Sequence, residues 1–241
     1  MSLFRQGLNQ LAERWLLRFR LRHELNTPSA SAQPEAARAE RVLLHVGCGS
    51  STIDQIPLAG FRQEDWHEIR LDADERVNPD LTGSMVRMTA VADGLADAVY
   101  SSHNIEHLYP HEVPLALAEF LRALKPDGFL VLTCPDLQSL CRLVVEDKLN
   151  EPAYISAAGP IAPLDVLYGH RAAMAAGNLF MAHRCGFTLR TLMAALREAG
   201  FAVVQGASRP DAFDLWVLAS KSARSPEAMA ALAQDYLLPS A

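Results

Sequence analysis

The stretch from Arg41 to Ser51, RVLLHVGCGSS, constrains the fold of this chain more than any other. Arg41 to Val46 reads as a short apolar strand, and Gly47-Cys48-Gly49 breaks it abruptly. A buried parallel strand that runs into a glycine turn opens nucleotide-binding α/β units. Glycine belongs there because the backbone turns tightly and approaches a ligand closely, where a Cβ would collide. A second strand, His67 to Leu71, ends in Asp72, about twenty residues further on. A carboxylate at such a strand tip accepts hydrogen bonds from both hydroxyls of an adenosine ribose. The pair of features points to an adenosine-containing ligand.

Spacing narrows the choice. A dinucleotide fingerprint needs G-x-G-x-x-G, and Thr52 stands where its third glycine belongs. A phosphate-cradling loop ends in Gly-Lys-Ser/Thr, and this turn has no lysine. Downstream, strand and helix patterns alternate. A short helix over Ser51 to Gln55 is stopped by Pro57, a third strand is expected near Met85 to Met88, and a fourth covers Asp97 to Ser101. His111 to Leu124 carries an apolar stripe at helical spacing, and Pro114 is tolerable in its first turn. Lys125-Pro126-Asp127-Gly128 reads as a turn, Phe129 to Thr133 as a buried fifth strand, and Leu137 to Val145 as a helix. Thr188 caps a further helix that Gly200 stops, two strands (Phe201 to Gln205 and Phe213 to Ala219) follow, and residues 222–241 read as a surface tail helix. This alternation implies a mostly parallel sheet with helices on both faces.

Composition sets limits on the setting. With 241 residues, half of them hydrophobic, the chain suits one α/β domain with appendages. A net charge of -6 argues against general nucleic-acid affinity. Cys48, Cys134, Cys141 and Cys185 lie far apart with no CxxC pair, which reads as reduced thiols and a cytoplasmic location. No apolar run reaches membrane-spanning length, and the N-terminus lacks the pattern of a secretory signal. Residues 1–25 form an expected amphipathic helix, with Phe4, Leu8, Leu11, Trp15 and Phe19 on one face and five arginines against two glutamates. Packing on its own domain or on a second subunit is the favoured reading, ahead of peripheral contact with an anionic membrane. Residues 26–40 read as a linker, 41–221 as the catalytic domain, and 136–186 as an inserted substrate cover.

Four strings together, HVGCGS, RLDAD, DAVYSSHNIEHLYPHEV and EFLRALKPDGFLVLTCPDL, resemble the S-adenosylmethionine (SAM)-dependent methyltransferases of class I, the type 11 group in particular. The resemblance implies a Rossmann-like, doubly wound sheet of seven strands and SAM as cofactor. Carried over position by position, it sets Gly47, Cys48 and Gly49 under the methionine half of SAM and Asp72 on the ribose. Ala73 then faces the adenine, Ser84 and Met85 lie along its edge, and Ser102 and His103 stand near the methionine end. Two departures stand out. His45 occupies a site position where the family has Asp or Glu, and Ser84 or Met85 one where it commonly has Asp. They motivate an alternative, a SAM-binding or partner-binding module without catalysis.

Methyl transfer from a sulfonium needs alignment first and, for an oxygen or nitrogen acceptor, a base. His103 is the first candidate, followed by His183 and His170 on the cover segment. The acceptor is expected to be a small molecule, a lipid or a glycan precursor, because no basic groove is visible. A remaining alternative treats His103-x-x-Glu106-His107 as an inverted zinc-peptidase motif on one helix, with His111 continuing the series only across Pro110.

Overall fold

The structure, a computed structural model, is described for residues 41–156 and 158–239. The expected N-terminal helix and linker lie outside the described residues.

Seven strands form one sheet: β1 (Arg41–Val46), β2 (Trp66–Asp72), β3 (Leu81–Thr82), β4 (Ala96–Ser102), β5 (Leu124–Pro135), β8 (Val203–Arg209) and β9 (Asp214–Ser220). Their order is β3-β2-β1-β4-β5-β9-β8. All pairings from β3 to β5 are parallel, and β9 runs antiparallel to both β5 and β8. This is the doubly wound, mostly parallel sheet expected from the alternating pattern.

The two-residue period of the strands sorts their side chains into two apolar layers. Leu44, Val46, Val99, Leu130 and Leu132 face one layer, with Leu117 and Phe120 of α1 (Val113–Ala123) and Leu192 and Leu196 of α5 (Leu189–Glu198). Leu43, Ala98, Tyr100, Phe129 and Val131 face the other, with Trp66, Phe61 and two residues of α6 (Pro226–Tyr236), Met229 and Tyr236. The central strands are apolar in a continuous run because both of their faces are covered.

Three local expectations are corrected. The third strand lies at Leu81–Thr82, where Leu71 and Asp72 pair with it, and the Met85 to Met88 stretch runs past the sheet edge. Lys125 to Gly128 is no free turn. It is a bulge within β5, between the Ala96–Leu124 and Ala98–Phe129 pairs, and Lys125 Nζ donates to Asp97 Oδ2 at 2.6 Å. The tail helix α6 is docked on the sheet: its Tyr236 is buried against Phe61, Trp66 and Phe129, and its hydroxyl donates to the Gly60 carbonyl.

Between β5 and α5 the chain builds α2 (Leu137–Val145), a hairpin of β6 (Tyr154–Ser156) and β7 (Gly159–Ile161), α3 (Pro163–Tyr168) and α4 (Arg171–Ala175). Asp136 starts this segment. Its carboxylate caps α2 by accepting from Gln138 N and also accepts from the Ser139 and Ser208 hydroxyls. A small apolar cluster of Leu140, Ile161 and Val166 gives the segment its own core. No helix among the described residues is long and apolar enough to cross a membrane.

Candidate functional site

The chain runs outward from β1 to β2 and β3, then returns to β4 on the other side of β1. That reversal leaves a crevice at the carboxyl ends of β1 and β4, the usual ligand position in open α/β sheets. A cavity of about 420 Å³ occupies it, bounded by Gly47, Gly49, Asp72, Ala73, Ser84, Met85 and His103 among others.

Gly47 and Gly49 both adopt positive φ, 67° and 53°. A Cβ on Gly47 would stand 1.9 Å from the Asn104 amide nitrogen, whereas one on Gly49 would meet nothing within 4 Å. The first glycine is therefore required by a neighbour and by its φ, and the second by its φ, with open space beside it. Asp72 closes the arrangement. Its Oδ2 accepts from Gly49 N at 2.8 Å and its Oδ1 from Asp74 N at 2.8 Å. Each carboxylate oxygen keeps a further lone pair for a ligand hydroxyl. A positive-φ cradle, a tethered carboxylate and the space between them fit an adenosyl group.

Not every nominated residue lines this cavity. His45 is buried, with its Nδ1 2.8 Å from Glu68 Oε1 and its ring edge-on to Tyr100. It stands outside the cavity wall because Glu68 of β2 draws its ring across the sheet. The same Glu68 accepts from Ile53 N, so a carboxylate anchors the turn after β1 from the neighbouring strand. The Cys48 side chain is buried as well, and that burial pushes its thiol up to about 11. Ser102 spends its hydroxyl on Thr133, 2.7 Å away.

His103 follows β4 at φ 48°, a left-handed conformation that costs a non-glycine residue about 1–2 kcal/mol. It lines the first cavity and also a second, of about 250 Å³, formed with Glu106, His107, Tyr154, His170 and His183. Thus His183 and His170 border the second space, and His103 and His107 border both. Desolvation in the cleft works against protonating His103, but the Glu106 carboxylate, 3.6 Å from its Nδ1, outweighs it and raises the pKa. Burial lowers the pKa of His183. The single-helix arrangement of an inverted zinc-peptidase motif is not formed. Ile105–His107 is one 3-10 turn, His103 lies before it at positive φ, and Glu106 is 1% exposed.

Several contributors carry no sequence signal of their own. Arg70 donates to the carbonyls of Gly49, Ser51, Val77 and Asn78, so one guanidinium ties the glycine turn to the loop after β2. Asn104 lies against Gly47, inside a motif singled out for its histidines. Phe180, Met181 and Arg184 bring the cover segment onto the first cavity, and Arg184 N donates to the Glu106 carbonyl. Only their place in an unusually long connection marked them.

A family model described as a methyltransferase domain matches residues 9–206. No curated protein matches the chain. Among solved structures it is similar to a Burkholderia thailandensis 1,6-didemethyltoxoflavin-N1-methyltransferase bound to 1,6-didemethyltoxoflavin and S-adenosylhomocysteine. That match has 18% identity, covers 76% of this chain and 72% of the other, and has a TM-score of 0.48. A SAM dependent methyltransferase from Archaeoglobus fulgidus has 16% identity, coverage of 86% and 94%, and a TM-score of 0.49. The CMeT domain of the citrinin polyketide synthase reaches a TM-score of 0.51 at 12% identity, covering 78% of this chain and 48% of that one, a likeness of fold.

Proposed function

From the premise that this chain belongs to the methyltransferase domain family and is a SAM-dependent methyltransferase, we propose that it methylates an oxygen or nitrogen of a small-molecule, lipid or glycan acceptor held under the segment after β5. The observation that carries this reading is the Gly49–Asp72 hydrogen bond at the edge of the larger cavity. It holds the glycine cradle and the ribose-type carboxylate in one rigid unit.

When bound, SAM supplies a methyl group already activated on a sulfonium. The protein's own task is then positioning and proton handling. Asp72 would accept from the ribose hydroxyls, while Ala73, Ser84 and Met85 would wall the adenine. Phe180 and Met181 border the cavity from the segment after β5; alignment and avoided solvent reorganisation supply up to about 7–11 kcal/mol in such reactions. The second cavity, with Tyr154, Ile161, Val166 and Phe213 among its walls, offers the acceptor an apolar surface together with the imidazoles of His103, His107, His170 and His183. His103 borders both spaces and so meets the condition for a base, within reach of an acceptor proton on one side and the cofactor on the other.

Single-turnover release of S-adenosylhomocysteine from labelled SAM, across a panel of hydroxylated and aminated acceptors, tests the reading. His103→Ala is expected to slow the step by about 10²–10⁴-fold while S-adenosylhomocysteine still binds. A full rate in that variant removes His103 as the base, and failure of every acceptor class favours the non-catalytic alternative.

A further inference from the structure

Glu106 is the most deeply buried carboxylate next to the cavities, and both of its oxygens lack a hydrogen-bond partner among the described residues. Leaving a buried charged group so unsatisfied is costly, and natural structures do it where an ion or a ligand completes the shell. His103 Nδ1 stands 3.6 Å from Glu106 Oε1, an ion pair too long for a hydrogen bond, and two further imidazoles stand beside the carboxylate. The ligand atoms of Glu106, His107 and His183 all lie within 4.8 Å of one another.

The two histidines are also in the right tautomer. His107 Nδ1 faces the Ala182 carbonyl at 3.1 Å, and His183 Nδ1 faces the Val166 carbonyl at 2.7 Å. A carbonyl only accepts, so each Nδ1 carries the hydrogen and each Nε2 carries the lone pair. Backbone carbonyls that orient metal-ligating histidines in this way are the usual outer shell of a metal site. The rings sit 4.9 Å apart, edge to face.

We propose that Glu106, His107 and His183 bind one divalent first-row transition metal ion of the zinc class, at the wall between the two cavities. Two imidazoles and one carboxylate suit zinc and its neighbours, while magnesium and calcium prefer all-oxygen shells. Three protein ligands leave a coordination position open, as in catalytic rather than structural sites. The role of the ion rests on the methyltransferase reading above. An acceptor hydroxyl that takes the open position would lose its proton to water at a much lower pH, and its oxygen would keep the electron pair that attacks the methyl carbon as the C–S bond breaks. This favours acceptors with a metal-binding hydroxyl over amines.

Metal binding is measured without any acceptor, on the full chain stripped with chelator. Co²⁺ is titrated in and followed by its visible spectrum, with Zn²⁺ and Mg²⁺ as competitors. One Co²⁺ per chain is expected, displaced by Zn²⁺ and unaffected by equal Mg²⁺. X-ray absorption of the wild-type Co²⁺ form is expected to show two imidazole nitrogens, and this readout needs no variant. Glu106→Gln and His183→Ala are expected to lose more than the about 10–100-fold in affinity that outer-shell changes cost. Absence of stoichiometric Co²⁺ or Zn²⁺, or binding unchanged in both variants, overturns the site. A parallel titration with S-adenosylhomocysteine on the metal-free protein reports the cofactor site separately, so the failure of either reading is visible by itself.

Discussion

Gly47, Asp72 and Arg70 show how few atoms set the edge of the first cavity. A methyl group on Gly47 meets the Asn104 amide and also sits at a φ that disfavours a side chain. Gly47→Ala is therefore expected to cost about 1–3 kcal/mol in urea unfolding, whereas Gly83→Ala, with nothing within 4 Å of its Cβ, stays within about 0.5 kcal/mol. Asp72 holds two backbone N–H groups, one on each oxygen. In Asp72→Asn one of them faces an amide NH₂ instead, which costs about 1–3 kcal/mol and shifts the turn. Arg70→Met keeps the apolar stem but frees the carbonyls of Gly49, Ser51, Val77 and Asn78. Its effect is expected in S-adenosylhomocysteine affinity, at least several-fold weaker by calorimetry, because both rims of the cavity loosen together.

The elements were legible where hydrophobic period and turn chemistry agree. β1, α1 and α5 carry apolar residues at the period of their element, β1 runs into Gly47, and α5 lies between its Thr188 N-cap and Gly200, so their patterns and their places coincide. The short β3 was misplaced because two residues, Leu81 and Thr82, carry no period at all. The β5 bulge was read as a turn because Pro126 and Gly128 are turn residues, and only the long-range pairing of Lys125 with Asp97 shows otherwise. α6 was read as a surface tail, since Met229 and Tyr236 are widely spaced in an alanine-rich segment. Tyr236→Ala is expected to cost roughly 3–5 kcal/mol, by removing a ring from the Phe61–Trp66–Phe129 cluster, and to lower Tm by on the order of 10 °C. In the cover segment, Asp165 accepts from Arg171 at 2.7 Å and joins α3 to α4. The Arg171 guanidinium holds the Asp165 carboxyl at about 2, below its ordinary 3.8. A depressed carboxyl stabilises the fold fully above its unfolded pKa and loses that contribution as pH falls from near 4 through about 2. Arg171 is half exposed, so the contribution is discounted to about 1–2 kcal/mol. Asp165→Asn is expected to show this deficit in unfolding at pH 6 and a deficit that shrinks steadily as pH falls from about 4 toward 2.

Across the whole molecule, the reversal of strand order between β1 and β4 does most to locate function. It brings the glycine turn, the Asp72 carboxylate and the His103 corner to one edge, although nearly sixty residues of chain separate the first from the last. Gly47, Gly49, Asp72 and Ala73 were nominated because they stand at or just after strand tips, and the structure brings them to the wall of one cavity. His45, Cys48 and Ser102 lie off the lining of that cavity, because adjacency in sequence does not say which way a side chain points across the sheet. Glu106 and His107 stood out as part of an inverted zinc-peptidase motif and His183 as a base candidate, but that the three meet depends on how the segment after β5 folds back over the 3-10 turn. Calorimetric titration of S-adenosylhomocysteine into the wild-type chain and into Asp72→Asn tests the central claim most directly. One site per chain in the wild type, weakened at least tenfold in the variant, is the predicted result; no saturable heat in the wild type, or equal affinity in the two proteins, would contradict it.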